Sequence, residues 1–336
     1  MKRSRIIHIC FVAAIVAILA LVIVRLKGWI RIVDLDDITG SGSEIADFEC
    51  HDSIMPLTDE EYNLIRQNEE VILVLGNDPF SDNCGENGSL SAMVEEASGA
   101  KVINCAITGS CIGMQEPAFD ISKSPMNIFS PYYLACIACS DDMDYSRELA
   151  QSRQALGDTF PENGETVLEV LSDLDITTVD VIVFFYDGSD YLRSIPVGLN
   201  EDEYDDPFCS FLGSFSATVD ILQKNSPGAR IIVLSAPYMF NVSENGEWEA
   251  CEDHPNLLGC DLSDYVLGQL KMCCEVYDIS FVDNYYASVN IQNGRDYLIN
   301  GRFLNEEGKQ VICERLMYAM TYYDAENAGQ VIYSSK

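Results

Sequence analysis

The sequence predicts a three-layer α/β/α domain built on a five-stranded parallel sheet and preceded by an N-terminal transmembrane helix. Three observations support this. Short, continuous apolar runs alternate five times with segments of helical periodicity. Each run is followed closely by glycine or polar residues, as is typical of buried parallel strands. A separate apolar stretch near the N-terminus is long enough to cross a bilayer.

The predicted strands are rich in valine, isoleucine and leucine, which suits strands buried on both faces. They cover residues 71–75, 101–106, 179–186, 230–235 and 279–282. The predicted helices cover residues 89–98, with Ser89 as N-cap, and 163–174, 212–225, 261–277 and 305–322. Residues 107–160 contain three prolines and an aromatic cluster and are predicted to be the least regular stretch of the domain.

Strands that alternate with helices form parallel sheets with helices on both faces, here expected in flavodoxin-like strand order. In such sheets the ligand site lies beyond the carboxyl ends of the strands. The segments that follow the five runs therefore carry the candidate site residues. They are residues 76–83, 108–111, 187–191, 236–239 and 283–286.

The N-terminal apolar stretch runs from Ile6 to Val24, is interrupted only by His8, and is expected to be a membrane anchor or an uncleaved signal. We expect a cytoplasmic tail at 1–5 and a stalk at 25–56. The globular domain is expected at 57–325 and a tail at 326–336. Three basic residues lie on each side of the anchor, so charge alone does not orient it.

The charge is strongly asymmetric. Six of the 20 basic residues precede Asp34, and all 54 acidic residues lie from Asp34 onward, which leaves a formal charge of −40 on that part. Such a surface repels phosphate backbones and excludes nucleic acid as a partner. It suits cationic partners, or it serves solubility alone.

The chain has 13 cysteines. Cys251 and Cys260 bracket a polar loop and could form a disulfide in an oxidising compartment, but the sequence alone assigns no cysteine pairing. Cys136 and Cys139 have the spacing of a redox or zinc motif, but no second pair or neighbouring histidine completes a four-ligand site. We therefore expect no metal and no cofactor.

The strand ends carry five blocks in a characteristic order. They read Leu75-Gly-Asn-Asp-Pro-Phe-Ser-Asp82, Asn104-Cys-Ala-Ile-Thr-Gly-Ser110, Phe185-Tyr-Asp-Gly-Ser-Asp-Tyr191, Val282-Asp-Asn-Tyr-Tyr286 and Asn300-Gly-Arg-Phe-Leu-Asn-Glu-Glu-Gly308. Together they resemble SGNH/GDSL hydrolases, over about residues 70–320. That family has a Gly-Asp-Ser block with the nucleophile, a glycine and a Gly-x-Asn-Asp block for the oxyanion, and Asp-x-x-His-Leu before the last helix. The resemblance implies an SGNH-type fold in an extracytoplasmic, membrane-held domain.

The sequence departs from the family at the decisive positions. Asp78 occupies the nucleophile position, and Phe303 and Asn300 replace the histidine base and its aspartate. Ser189 replaces the oxyanion asparagine, while Gly109 remains as an oxyanion contributor. A serine hydroxyl needs a base within hydrogen-bond reach, and phenylalanine cannot accept a proton. The resemblance therefore implies a degenerate site.

Other side chains at this edge are binding candidates. They are Ser81, Asp82, Asp187, Asp190 and Tyr191. Four aspartates, with Asp78 among them, would bind a cation or act as an acid/base pair, or they would only cap loops and face solvent. Ser81 and Cys84 are the neighbouring hydroxyl and thiol, and the loop residue His254 would reach the site only if its loop folds over it. Six tyrosines would stack on sugar rings or pack in the core; they are Tyr132, Tyr133, Tyr186, Tyr191, Tyr285 and Tyr286.

Three functions follow from these patterns. The first is a degenerate SGNH-like domain that binds a cell-surface carbohydrate or wall polymer without hydrolysing it. The second is an active esterase or acyl-transfer enzyme with non-standard residues, acting on acylated carbohydrate. The third is a non-enzymatic scaffold of an envelope complex. A serine or cysteine within about 3.2 Å of a base at the strand ends would favour the enzyme.

Overall fold

The computed structural model describes residues 50–64, 70–82, 88–140, 143–198, 206–325 and 332–333. The strands of this part are β1 Ser53–Ile54, β2 Val71–Gly76, β3 Lys101–Asn104, β4 Val181–Phe185, β5 Arg230–Leu234, β6 Phe240–Val242, β7 Trp248–Ala250, β8 Ser280–Val282, β9 Leu298–Ile299, β10 Phe303–Leu304 and β11 Ile332–Tyr333. The α-helices are α1 Asp59–Leu64, α2 Asp78–Ser81, α3 Leu90–Ser98, α4 Pro131–Ala138, α5 Ser146–Leu156, α6 Gly164–Ser172, α7 Ser189–Leu192, α8 Phe211–Asn225, α9 Leu262–Lys271, α10 Gly294–Tyr297 and α11 Glu306–Thr321. Helix α9 continues into a π-helical segment at Met272–Tyr277.

The main sheet has the order β11-β1-β8-β5-β4-β2-β3. Its five strands from β3 to β8 are parallel and follow one another in the order 2-1-3-4-5. This confirms the five predicted parallel strands and their flavodoxin-like order. The short strands β1 and β11 extend the sheet beyond β8, with β1 antiparallel to both neighbours.

Two groups of helices cover the sheet. Helix α11 packs on α3, whereas α8 packs on α4 and α9. Connections between parallel strands are right-handed. The connection from β2 to β3 therefore lies on one face of the sheet. The connections from β3 to β4, β4 to β5 and β5 to β8 run in the opposite direction across the sheet and lie on the other face. The two groups therefore form the outer layers of a three-layer domain.

Buried strands and capped helices explain this architecture. Every residue of β4 is buried, as are all residues of β2 after Val71. Ser89 caps α3 by accepting the N–H of Ala92, as predicted, and Asn305 caps α11 by accepting the N–H of Gly308.

The segment predicted to be least regular contains regular structure. Residues 107–160 include α4 and α5. Ser130 accepts the N–H of Tyr133 and Pro131 is the first residue of α4, so this proline starts a helix instead of ending one. The stretch predicted to be least regular therefore contains two α-helices for which the sequence predicted no bounds.

The domain begins before residue 57. Strand β1 lies inside the segment predicted as a stalk, and Asp52 forms an ion pair with Arg315 of α11. The backbone N–H groups of His51 and Asp283 are also bonded to the side chains of Asp283 and Asp52, at 2.9 and 2.8 Å. Residues 50–54 are thus held at the carboxyl end of β8.

The predicted membrane segment 6–24 lies outside the described residues, as do most of the stalk and most of the C-terminal tail. Within the part that the structure describes, no helix combines the length and the apolar character needed to cross a membrane.

Candidate functional site

The candidate site is built on the carboxyl ends of β2, β3 and β4. Strand β2 ends at Gly76, where a Cβ atom would lie 2.5 Å from the carbonyl oxygen of Phe185 in β4. Only glycine fits at this contact between neighbouring strands. The close approach brings Asn77 and Asp78 next to the residues that follow β4.

Asp78 stands at the start of the short helix α2. Its Oδ2 accepts the backbone N–H of Gly109 at 2.9 Å. Gly109 has a φ of +70°, a left-handed conformation that glycine adopts without strain. The side chain of Asp78 is 12% exposed. Burial and the neighbouring charge of Asp187 raise its pKa, against the opposing effects of the Gly109 N–H and of Arg302. The carboxylate at the nucleophile position therefore accepts a hydrogen bond from the backbone N–H at the oxyanion position.

Arg302 occupies the centre of the site. Its Nη2 lies 2.7 Å from Asp187 Oδ2 and 3.6 Å from Asp78 Oδ2. The same nitrogen donates to Ser189 Oγ at 2.9 Å. The guanidinium thus links the residues that follow β2 and β4, in a setting where charge-assisted bonds are strong.

The Asp187 carboxylate is 4% exposed and is surrounded by donors. Its Oδ1 accepts from Asn77 Nδ2 at 2.8 Å, from Ser189 Oγ at 2.6 Å and from the Ser189 N–H at 3.0 Å. Asn77 in turn accepts the N–H of Asp187 at 2.9 Å. Asn77, Asp187, Ser189 and Arg302 form a closed hydrogen-bonded network beneath Asp78.

Arg302 lies in a tight turn between β9 and β10, and this turn places its side chain at the site. Asn300 and Gly301 have φ values of +51° and +73°, and both lie in the turn. Asn300 is exposed, and the Arg302 guanidinium carbon lies 5.1 Å from the centre of the Phe303 ring. Phe303 itself is 39% exposed. The residues at the predicted Asp and His positions, Asn300 and Phe303, therefore flank the arginine that enters the network.

A narrow cleft lies beside this network, and its free volume of about 10 Å³ is enough for about one water molecule. It is lined by Asp78, Pro79, Asp82, Asp187, Arg302, Phe303, Leu304 and Lys309. Lys309 of α11 is buried and its Nζ lies 2.9 Å from Asp82 Oδ2, whereas Asp82 is 43% exposed. The cleft combines an aromatic face with two cations and three carboxylates.

The structure brings three of the four predicted aspartates to the cleft and places Asp190 elsewhere. Asp190 is 2% exposed and accepts the N–H groups of Ile112 and Gly113 at 3.0 and 2.8 Å. Burial raises its pKa to about 7. Asp190 therefore holds the loop that follows Gly109. Among the described residues, no group of three or more histidine, cysteine or acidic side chains is arranged to hold a metal ion.

The predicted hydroxyl and histidine candidates have other partners. Ser81 Oγ lies 2.8 Å from Thr108 Oγ1, which is not a base. His254 Nε2 lies 2.7 Å from Glu249 Oε2, and both side chains are exposed. Neither Ser81 nor His254 lines the cleft. Cys84 lies outside the described residues.

Most of the predicted tyrosines are core residues. Tyr133, Tyr186, Tyr191 and Tyr285 are buried, which leaves Tyr132 and Tyr286 half-exposed. Tyr191 is 3% exposed and its hydroxyl donates to the carbonyls of Cys251 and His254. The aromatic side chain that the cleft does present is Phe303.

Cys251 and Cys260 do not form a disulfide in this structure. Burial raises the pKa of Cys251 to about 12 and that of Cys139 to about 11. Burial also raises the pKa of the Cys136 thiol. Thiols in this state are poor nucleophiles and poor metal ligands.

Sequence reasoning missed Asn77, Arg302 and Lys309. The signal for Arg302 was its place within the last block, between Asn300 and Phe303, as a cation facing several predicted carboxylates. Lys309 follows the glycine of the same block, on the part of α11 nearest the cleft. Charge balance at the sheet edge would have pointed to both residues.

Comparison with known proteins bears on the fold. No protein-family model matches the chain. No curated protein matches it either. Among solved structures, one crystal structure covers 75% of this chain and 96% of its own at 19% identity and a TM-score of 0.50. A possible lipase from Chitinophaga pinensis is 14% identical, with a TM-score of 0.43 and coverage of 74% and 96%. A candidate SGNH hydrolase from Slackia heliotrinireducens is 14% identical, with a TM-score of 0.40 and coverage of 75% and 100%.

The strand order defines the fold class as a three-layer α/β/α domain with flavodoxin-like order. The solved structures to which the chain is similar include ones named as SGNH hydrolase, GDSL-like lipase and acylhydrolase. The likeness concerns the fold alone, and function is argued from the site.

Proposed function

We propose that this chain is a catalytically degenerate SGNH-like domain that binds a cell-surface glycan or wall polymer without hydrolysing it. The segment 6–24 would hold it at the cell membrane with the acidic domain outside. One observation carries the proposal. The nucleophile position holds the Asp78 carboxylate, which accepts the Gly109 N–H where an oxyanion would bind.

The lack of a base near a free hydroxyl argues against hydrolysis. None of the residues that line the described cleft is histidine, serine, threonine or cysteine. Removing the nucleophile or base from a serine hydrolase site lowers the rate by roughly 10⁴-fold or more. A glycan that binds at the mouth of this cleft would therefore be released unchanged.

The composition of the cleft suits a sugar. Phe303 offers a half-exposed ring, and the apolar face of a pyranose packs on such rings. Asp78, Asp82 and Lys309 are placed around it and can exchange hydrogen bonds with sugar hydroxyls. The exterior charge of −40 disfavours nucleic acid as an alternative ligand.

An active esterase or acyl-transfer enzyme is the second candidate, and one contact favours it. Ser189 Oγ lies 2.6 Å from the Asp187 carboxylate, within reach of a base. However, Ser189 is 3% exposed, and its oxygen already accepts from Arg302 and lies 3.2 Å from Asn77 Nδ2. A buried hydroxyl held by three partners cannot approach an acyl carbon without breaking the network.

The test compares catalysis with binding on the full-length chain in a sugar-free detergent. An activated acetyl ester measures turnover, a phosphonate probe labels any reactive serine, and cell-wall oligosaccharides are titrated by calorimetry. We expect no turnover above buffer, no labelling and measurable oligosaccharide binding that Phe303→Ala weakens. Turnover that Ser189→Ala or Ser81→Ala abolishes would establish the enzyme instead.

A further inference from the structure

The charges in the cleft do not balance within the described residues. Arg302 is paired with Asp187 at 2.7 Å, and Lys309 is paired with Asp82 at 2.9 Å. Asp78 is the third carboxylate, and it lies 3.6 Å from an arginine that is already engaged by Asp187. The cleft lining therefore carries three carboxylates against two cations, with one negative charge in surplus.

The surplus charge is accessible from the cleft. Asp78 is 12% exposed and Asp82 is 43% exposed, and the free volume of about 10 Å³ lets a group as small as an ammonium reach both carboxylates. Burial raises the pKa of Asp78, and the neighbouring charge of Asp187 raises it further, against the opposing effects of the Gly109 N–H and of Arg302. A cation placed in the cleft would relieve this imbalance.

We infer that the ligand of this cleft carries a protonated primary amine, as in an amino sugar whose nitrogen is not acetylated. The ammonium group would lie between the carboxylates of Asp78 and Asp82, and the sugar ring would lie against Phe303. This inference rests on the proposed glycan-binding function and names its ligand class. The exterior charge of −40 acts in the same direction, since it attracts polycations and repels uronate or phosphate polymers.

The decisive comparison uses two sugars that differ only at nitrogen. The probes are the β-1,4-linked tetramer of glucosamine and its fully N-acetylated counterpart, titrated by calorimetry into the full-length chain in a sugar-free detergent. We expect the free amine to bind about tenfold or more tightly, as a charge-assisted hydrogen bond contributes. Asp78→Asn should remove most of this difference.

Matched variants separate a local contact from general attraction. Asp158→Asn makes the same charge change at an exposed residue outside the cleft and should keep the preference. Asp82→Asn changes a second, more exposed carboxylate of the cleft and should also reduce the preference for the free amine. It serves as the test if Asp78→Asn fails to fold.

The outcomes distinguish this inference from the function on which it rests. Equal affinity for the two tetramers would overturn the amine inference and leave glycan binding intact. Loss of the preference in Asp158→Asn as well would also overturn it, because the attraction would then be non-specific. If neither tetramer nor any other wall oligosaccharide binds, the proposed function itself fails.

Discussion

Replacing Arg302 with methionine should destabilise the domain by about 2–3 kcal/mol. Methionine keeps most of the length of the side chain and removes its charge and donors. Asp187, 4% exposed, would lose the cation 2.7 Å away. Breaking a buried ion pair costs roughly 3–5 kcal/mol when an uncompensated charge remains. The cost here is lower, because Arg302 is 24% exposed and Asp187 keeps its bonds from Asn77 and Ser189.

Urea unfolding at neutral pH measures this cost. A double-mutant cycle with Asp187→Asn should give a coupling of about 1–3 kcal/mol, because the asparagine no longer needs the cation. Arg153→Met is the matched control. Arg153 pairs with Glu165 at the surface, where the two side chains are 53% and 48% exposed. Such pairs contribute about 0–1 kcal/mol. If Arg302→Met costs no more than Arg153→Met, the network around Asp187 does not stabilise the fold.

Three further predictions concern residues outside the cleft. Folding raises the pKa of Asp190 to about 7, from about 4 in the unfolded chain. The stability that the neutral carboxyl contributes is therefore fully present below pH about 4 and is lost as the pH rises through about 7. Asp190→Asn should remove this decline from urea unfolding measured across that range, and an unchanged decline would contradict the assignment. Glu252→Ala should cost about 1–3 kcal/mol in thermal unfolding, because the buried hydroxyls of Tyr238 and Tyr285 both donate to this carboxylate; an unaltered melting temperature would show that water replaces it. Gly76→Ala should cost at least about 1–3 kcal/mol by the same measurement, because its Cβ would meet the Phe185 carbonyl at 2.5 Å, and a neutral effect would mean that β2 and β4 can separate without penalty.

The sheet could be predicted because its strands are buried on both faces. In β2 and β4 nearly every residue is apolar, so each run stands out from its surroundings and its carboxyl end is marked by glycine or aspartate. The edge strands β1 and β11 are two residues long, which is too short for any periodicity. They form because β8 offers an open edge and tertiary contacts such as Asp52 with Arg315 hold the chain beside it.

The site was only half predictable, for a different physical reason. The positions of Asp78, Gly109 and Ser189 follow from strand ends, because parallel strands deliver their carboxyl ends to one edge. Arg302 reaches the same edge through the turn between β9 and β10, and its long side chain extends into the network. No local pattern fixes where such a side chain goes. The burial of Tyr186 and Tyr285 was hidden for a similar reason, since an aromatic residue suits a core and a ligand site equally well.

The attachment of residues 50–54 at the carboxyl end of β8 has a mechanical consequence. Tension applied through the N-terminal part of the chain would reach the domain first at the ion pair of Asp52 with Arg315 and at the short strand β1. While those contacts hold, the force would pass through them into β8 and α11, and it would act on the rest of the sheet through β8. We expect residues 50–54 to detach under force first, while the cleft and its ion pairs keep their arrangement.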